Sequence, residues 1–376
     1  MQVADNNHRA REIDGIRGWA AMVVLLFHLL CETFGAILPW TRHSPFFAVL
    51  NGPLAVFVFF VLSGDALSIG YLASGRRRAL DSLAVRRYLR LTIPIAISTL
   101  VLLVLLRSGL VFNKSAGLIV QSGWLASFLD FEPSVASYLR YVLIEVYSPA
   151  KVYGPPVTQY NPMLWTMPVE LAGSILILLF WYLAPGLKCA HRVLFAVSAV
   201  LTALGSYYAL FFIGMTLSFF RHNGTLDRLR GHSAWQFAAP VLFLLSIFGH
   251  GMLQNQGGVR HLTILSAAVI VFCAYTSNPL LWFFRSAPSR FLGNVSFPLY
   301  LIHLSVIVSF TSWWIVEAGT ISPSTAIVIC CGSIAATLVV SAVFRSLEQT
   351  TLRMVDRYLI ALLLPSTAAS KSAVSY

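Results

Sequence analysis

The stretch Arg11 to Leu30, R-E-I-D-G-I-R-G-W-A-A-M-V-V-L-L-F-H-L-L, is apolar enough from Ile16 onward to enter a bilayer, yet it keeps Arg17 near one end and His28 deep inside. A helix advances about 100° per residue, so the step from Arg17 to His28 closes about three turns and leaves both on one face. Asp14, three residues before the arginine, and Glu32, four after the histidine, fall near the same stripe. Ionisable groups at membrane depth are rare and usually face a protein interior or a wet cavity, so the stripe reads as a functional site. The competing reading is an interfacial arginine whose head snorkels to water and a core histidine satisfied by a backbone carbonyl.

Of the 376 residues, 57% are hydrophobic and only 11% charged. A soluble domain averages about 25% charged residues, so the composition calls for an all-α, polytopic membrane protein. The net charge of +12 does not describe a nucleic-acid surface, because the basic residues sit at the ends of apolar runs and form no single face. Cys31, Cys189, Cys273, Cys330 and Cys331 lie in or beside apolar segments, with neither metal-ligand spacing nor a disulfide framework, and packing roles are expected for them. The first span reads as a retained signal anchor.

Apolar runs predict ten spans, at about 13–34, 51–72, 91–107, 163–184, 193–205, 207–220, 236–253, 262–284, 291–315 and 324–344. The stretch 193–220 is long for one span and short for two, and charge decides it. A hairpin broken at Gly205-Ser206 places 20 of the 26 Lys and Arg on the side of both termini and leaves Arg42, Arg107, Lys114, Arg140, Lys151 and Arg260 on the other. The positive-inside rule makes the first side cytoplasmic. Residues 1–348 are then one transmembrane domain and 349–376 a cytoplasmic tail.

Two segments between spans stand out. Gly75 to Arg90 is short and strongly basic. Arg76 to Arg78 read as topological signals, whereas Arg87 and Arg90, three apart at the mouth of a span, can point one way into the bundle and suit a phosphate-bearing ligand. Ser108 to Pro162 is the one long outer loop, with Trp124, Tyr138, Tyr141, Tyr147, Tyr153 and Tyr160 beside Asp130, Glu132 and Glu145. Its aromatics read as an interfacial belt, with reception of a sugar as the alternative.

Neither H-E-x-x-H nor G-x-S-x-G nor a glycine-rich phosphate loop occurs. The polar groups at membrane depth are Arg17, His28, Glu32, Ser63, Asp65, Arg87, Arg90, Glu170 and His303. A histidine oriented by an acid can activate a hydroxyl, and cations open to the cytoplasm can hold an anionic donor. Together they describe group transfer in a membrane. A secondary transporter with a path through Arg17, His28 and Asp65 is the reading from another class.

R-E-I-D-G-I-R-G with His28 resembles the first span of the acyltransferase-3 family of integral-membrane O-acyltransferases, marked by an Arg and a His with ten residues between them. F-F-V-L-S-G at Phe59 to Gly64, R-Y-L-R at Arg87 to Arg90, L-W-T-M-P-V-E at Leu164 to Glu170 and S-F-P-L-Y-L-I-H at Ser296 to His303 resemble four further family motifs, in order. The resemblance covers about Arg11 to Glu348. It departs at Asp65, where an aromatic is usual, at Pro168 inside the Trp-to-Glu stretch, and at Gln349-Thr350. It implies a transferase moving an acyl group, most commonly acetyl, from acyl-coenzyme A to a hydroxyl, with no metal. His28, Arg17 and Glu170 would be catalytic and Arg87 and Arg90 would bind the donor. Glu32, Asp65, Trp165 and His303 would meet the substrate or, for Glu32 and His303, orient His28. The partners implied are membrane lipid, a carbohydrate acceptor of the cell envelope and the proteins that assemble the glycan.

Overall fold

The computed structural model describes residues 11–43, 45–150, 160–254 and 260–363. Lys151, Tyr153 and the last part of the tail, named above, lie outside them. Among the described residues all regular structure is helical. Each of the ten apolar runs is a helix: α1 (Arg11–Leu26), α2 (Gly52–Ser74), α3 (Arg77–Arg107), α4 (Met167–Leu183), α5 (Ala190–Ala203), α6 (Tyr208–His222), α7 (Ser233–Gln254), α8 (Arg260–Thr276), α9 (Ala287–Val306) and α10 (Pro323–Leu363).

Seven of the described segments are long and apolar enough to cross a membrane, and α8 makes an eighth if the helix Asn278–Phe284, bent from it by 93°, belongs to the same crossing. Helices α5 and α6, with 14 and 15 residues, fall short of the roughly 20 a straight crossing needs. They form the expected hairpin, broken at Gly205, whose φ of +62° is a left-handed conformation suited to glycine. The basic segment before the third span is no loop: α3 starts at Arg77 and runs through Pro94 without a break. Nor does helix structure end at Glu348, since α10 continues to Leu363.

Glycine decides how the bundle closes. Helix α1 packs most extensively against α9. A Cβ on Gly18 would run into the backbone of Gly293, and one on Gly293 would come 2.5 Å from the Asp14 carbonyl oxygen. Small residues let helix backbones approach closely where lipid offers no hydrophobic drive. The contact is stapled by Trp19 Nε1 donating to Ser289 Oγ at 2.9 Å and by a Glu12–Arg285 ion pair at 3.1 Å. Helices α2 and α6 meet in the same manner, Gly64 against the Phe211 backbone and Gly214 against the Val61 carbonyl.

The segment between α3 and α4 is folded, with short helices Asn113–Ile119, Gly123–Ala126 and Val135–Leu143. Its tyrosines tie it down: Tyr138 Oη donates to the Ala96 carbonyl at 3.0 Å, and the buried Tyr141 to the Asn161 carbonyl at 2.9 Å. Burial pushes the Tyr141 phenol above its ordinary pKa, so it remains a donor. Both rings thus serve to hold the segment to the bundle.

Gly64→Ala should destabilise the protein by about 1–3 kcal/mol, as expected for overpacking at a backbone contact. Gly70→Ala, on the same helix with open space around it, should leave stability unchanged or raise it by up to about 1 kcal/mol. Thermal unfolding of both variants in detergent checks this, and equal shifts would contradict the packing.

Candidate functional site

A cavity of about 460 Å³ opens among α1, α2, α3, α4, α9 and α10. Arg17, Arg86, Arg87, Arg90, Glu170 and Glu348 supply its charge, and Phe59, Ser63, Thr166 and Tyr300 lie on its wall. All five motif stretches contribute through their cavity-facing residues, with His28 and His303 set apart. The size lies within the range of small-molecule sites.

The arginines are not equivalent. Arg87 forms an ion pair with Glu170 and donates through Nε to Ser174 Oγ at 2.7 Å. Ser174 in turn donates to the Glu170 carbonyl at 2.6 Å, one turn earlier on α4. Arg87 is thus committed to joining α3 to α4. Arg17 and Arg90 have no hydrogen bond or ion pair among the described residues, and Arg90 is exposed. They present free planar donors suited to a phosphate or carboxylate. Pro168 does not disturb this wall. It falls in the first turn of α4, where no helical N–H is needed, and Asn161 caps the preceding turn by accepting from Met163 N at 3.0 Å.

His28 does not line the cavity. Its Nδ1 lies 3.1 Å from Nε2 of His303, and Nδ1 of His303 lies 3.2 Å from the Leu299 carbonyl. A carbonyl can only accept, so His303 carries its proton on Nδ1 and, when neutral, accepts at Nε2. The bond between the rings is then donated by Nδ1–H of His28. The lone pair of His28 Nε2 is left with no partner among the described residues, which is the state a general base requires. The orienting group is therefore a second histidine and not an acid.

Irregular helix frames this pair. Residues Phe27–Thr33 and Ile307–Thr311 are π-helical, each just beyond α1 or α9. Single π turns concentrate at functional sites. In each case a hydroxyl five residues on fills a carbonyl: Thr33 Oγ1 donates to His28 O at 2.8 Å, and Ser312 Oγ to Ile307 O at 2.7 Å. Tyr300 links pair and cavity, with its ring on the cavity wall and its centroid 6.0 Å from that of His303. Its hydroxyl bonds Thr166 Oγ1 at 2.7 Å and the Met163 carbonyl.

The structure thus brings Arg17, Arg87, Arg90 and Glu170 to one cavity and His28 to His303 behind it. It places three other expected residues elsewhere. Glu32 does not meet His28: the turn has gone over to i→i+5 winding, so Thr33 is stacked over His28, while Glu32 lies 4.0 Å from Arg42. Asp14 is exposed. Asp65, fully buried, pairs with Arg221 and accepts from Tyr275 Oη at 2.6 Å, so neither Arg17 nor His28 is its partner and the expected path through all three is not formed. Trp165 packs on Tyr207, with centroids 5.9 Å apart, and is not on the cavity wall. Ser174, Thr33 and Trp124, which stacks on His28, were not legible as site residues, since none has a spacing that relates it to its partner.

An arginine-lined cavity in a helical membrane bundle, with a histidine pair behind it, is an arrangement suited to group transfer in a membrane. The chain matches the acyltransferase-3 family model, described as an acyltransferase domain, over residues 11–345, and it belongs to that family. It is similar to the O-acetyltransferase PaAT-1 of Phomopsis amygdali, 23% identical over 361 aligned residues covering 79% of this chain and 72% of that protein. No solved structure matches it. The protein is a multi-pass membrane acyltransferase.

Arg87→Ala, which strands Glu170 in the cavity wall, should cost a few kcal/mol of stability, and Arg90→Ala should stay within about 0.5 kcal/mol of the parent. Thermal denaturation of the two variants side by side is the check. Equal losses would mean that Arg90 is structural too.

Proposed function

We propose that this enzyme transfers an acetyl group from acetyl-coenzyme A to a hydroxyl of a cell-envelope or exported glycan, working in the cell membrane, with ten spans and both termini in the cytoplasm. The observation that carries the reading is the open lone pair of His28 Nε2, held by the hydrogen bond from His28 to His303. Positive-inside counting supports the orientation, because the cavity lies at the arginine-rich end of α3. The acetyl group is supported by the name of the fungal relative, whereas the glycan rests on the motif resemblance alone, and the residues by themselves select neither.

Arg17 and Arg90 would hold the donor phosphates at the cavity mouth. Eleven helical steps lead from Arg17 to His28, about 16 Å along the axis. That separation suits a coenzyme A thioester, whose phosphates and acyl carbon lie at opposite ends of an extended arm. His28 Nε2 accepts the acceptor's hydroxyl proton as that oxygen bonds to the acyl carbon. It returns the proton to the sulfur as the C–S bond breaks. Glu170 acts through Arg87, keeping the cavity wall in place, and Tyr300 stands between the cavity and the histidine pair.

The experiment is turnover of radiolabelled acetyl-coenzyme A by the purified protein in lipid vesicles. His28→Ala should lower turnover about a hundredfold or more, the usual share of a general base. Arg90→Ala should weaken coenzyme A binding by about 1.5–3 kcal/mol, as for a lost charged hydrogen bond. Wild-type turnover in His28→Ala would refute the reading.

A further inference from the structure

Trp124 lies outside the motif-bearing helices, on the four-residue helix Gly123–Ala126 between α3 and α4. Its indole stacks on the His28 imidazole, with centroids 5.1 Å apart and planes 14° from parallel. The edge of Phe128 packs against that indole at 4.7 Å and 89°. Ser122 caps the short helix by accepting from Leu125 N at 3.1 Å, and its own hydroxyl donates to the Glu32 carbonyl at 2.7 Å. Asn113 holds the other end, its amide donating to the carbonyls of Leu125 at 2.9 Å and Phe128 at 3.0 Å. The outer segment is therefore fastened both to the π-helical turn that carries His28 and to the face of the His28 ring.

An imidazole has a broad, two-fold χ2 preference, so rotamer energetics alone do not distinguish Nδ1 from Cδ2. A half-turn of the ring would put Cδ2 where Nδ1 now meets His303, losing that hydrogen bond, and would move Nε2 to the place of Cε1. Offset stacking on the Trp124 face fixes the plane of the ring and opposes tilting out of it, while the His303 bond selects between the two half-turns. We infer that Trp124 is the positioning residue that holds the His28 ring in its productive orientation. The outer segment thus completes an active site whose other parts lie in the membrane helices. This rests on His28 being the base, as proposed above. Trp124 has no polar contact with His28, so its effect is on where Nε2 points and how far it is shielded.

The test reads the ring directly. Diethyl pyrocarbonate modification of His28, followed by mass spectrometry, is compared in the parent protein, Trp124→Ala, Trp124→Phe and Ser122→Ala, with the exposed His191 and His232 as internal references. Trp124→Ala should speed modification of His28 about tenfold relative to the references, the conservative Trp124→Phe should restore protection to within about threefold, and Ser122→Ala should fall between. In acetyl-coenzyme A turnover, Trp124→Ala should lower kcat by about tenfold to a hundredfold with KM for the donor unchanged, as misplacement of a reacting group does. Equal His28 modification in the parent and Trp124→Ala, or no rescue by phenylalanine, overturns the inference. If Trp124→Ala fails to fold, protection in Trp124→Phe and acceleration in Ser122→Ala decide it. Protection of His28 with no acetyl-coenzyme A turnover in the parent would count against the acyl-transfer reading and leave the stacking role supported.

Discussion

Two glycines set the geometry on which the site depends. Where α1 crosses α9, Gly18 and Gly293 bring the backbones so close that neither position has room for a Cβ. From that crossing each helix runs on to one histidine, and the two imidazoles come within 3.1 Å. A larger residue at the crossing would part the helices and, with them, the bond that selects the His28 tautomer. The glycines of R-E-I-D-G-I-R-G are thus a packing requirement, and the arginine beside them is carried to the cavity by the same contact.

The division of labour among charges follows from their surroundings. Arg87 and Glu170 neutralise each other in a largely buried wall, with Ser174 taking a further guanidinium donor. A pair of that kind loses more when one partner is removed than it contributes intact, because the survivor stays buried and unpaired. Arg17 and Arg90 make no hydrogen bond or ion pair among the described residues, although Asp14 and Glu348 lie near enough to interact with them electrostatically. Asp65 and Arg221 form a second, deeper pair, supported by Tyr275 both through its hydroxyl and through its ring, 4.3 Å below the guanidinium. That pair binds α2 to α6 and α8, and it accounts for the acid that stands where the family usually has an aromatic.

Membrane helices rarely give up regular winding without a use for it, since every backbone group must be satisfied internally. Here both helices change to π winding next to the histidine pair, and Thr33 and Ser312 supply the hydrogen bonds that the change leaves open. The result is a ring at membrane depth with one nitrogen engaged and the other available. It is covered on one face by a tryptophan from the segment outside the bundle.

Composition and periodicity alone determined that this chain is an all-helical membrane protein, and the ten apolar runs located its helices. The order of five short motifs identified its family, and the spacing of Arg87 and Arg90 put both on one cavity wall. What only the tertiary structure decided is which polar groups meet. The 100° rule carried Glu32 to His28 only so long as the helix stayed regular, and the π turn at Phe27–Thr33 broke the rule at that residue. His303, Ser174 and Trp124 reach their partners from 275, 87 and 96 positions away in the chain, distances over which no local period acts. Whether a buried charge is free or paired depends on its neighbour across a helix interface, and that neighbour is chosen by close packing.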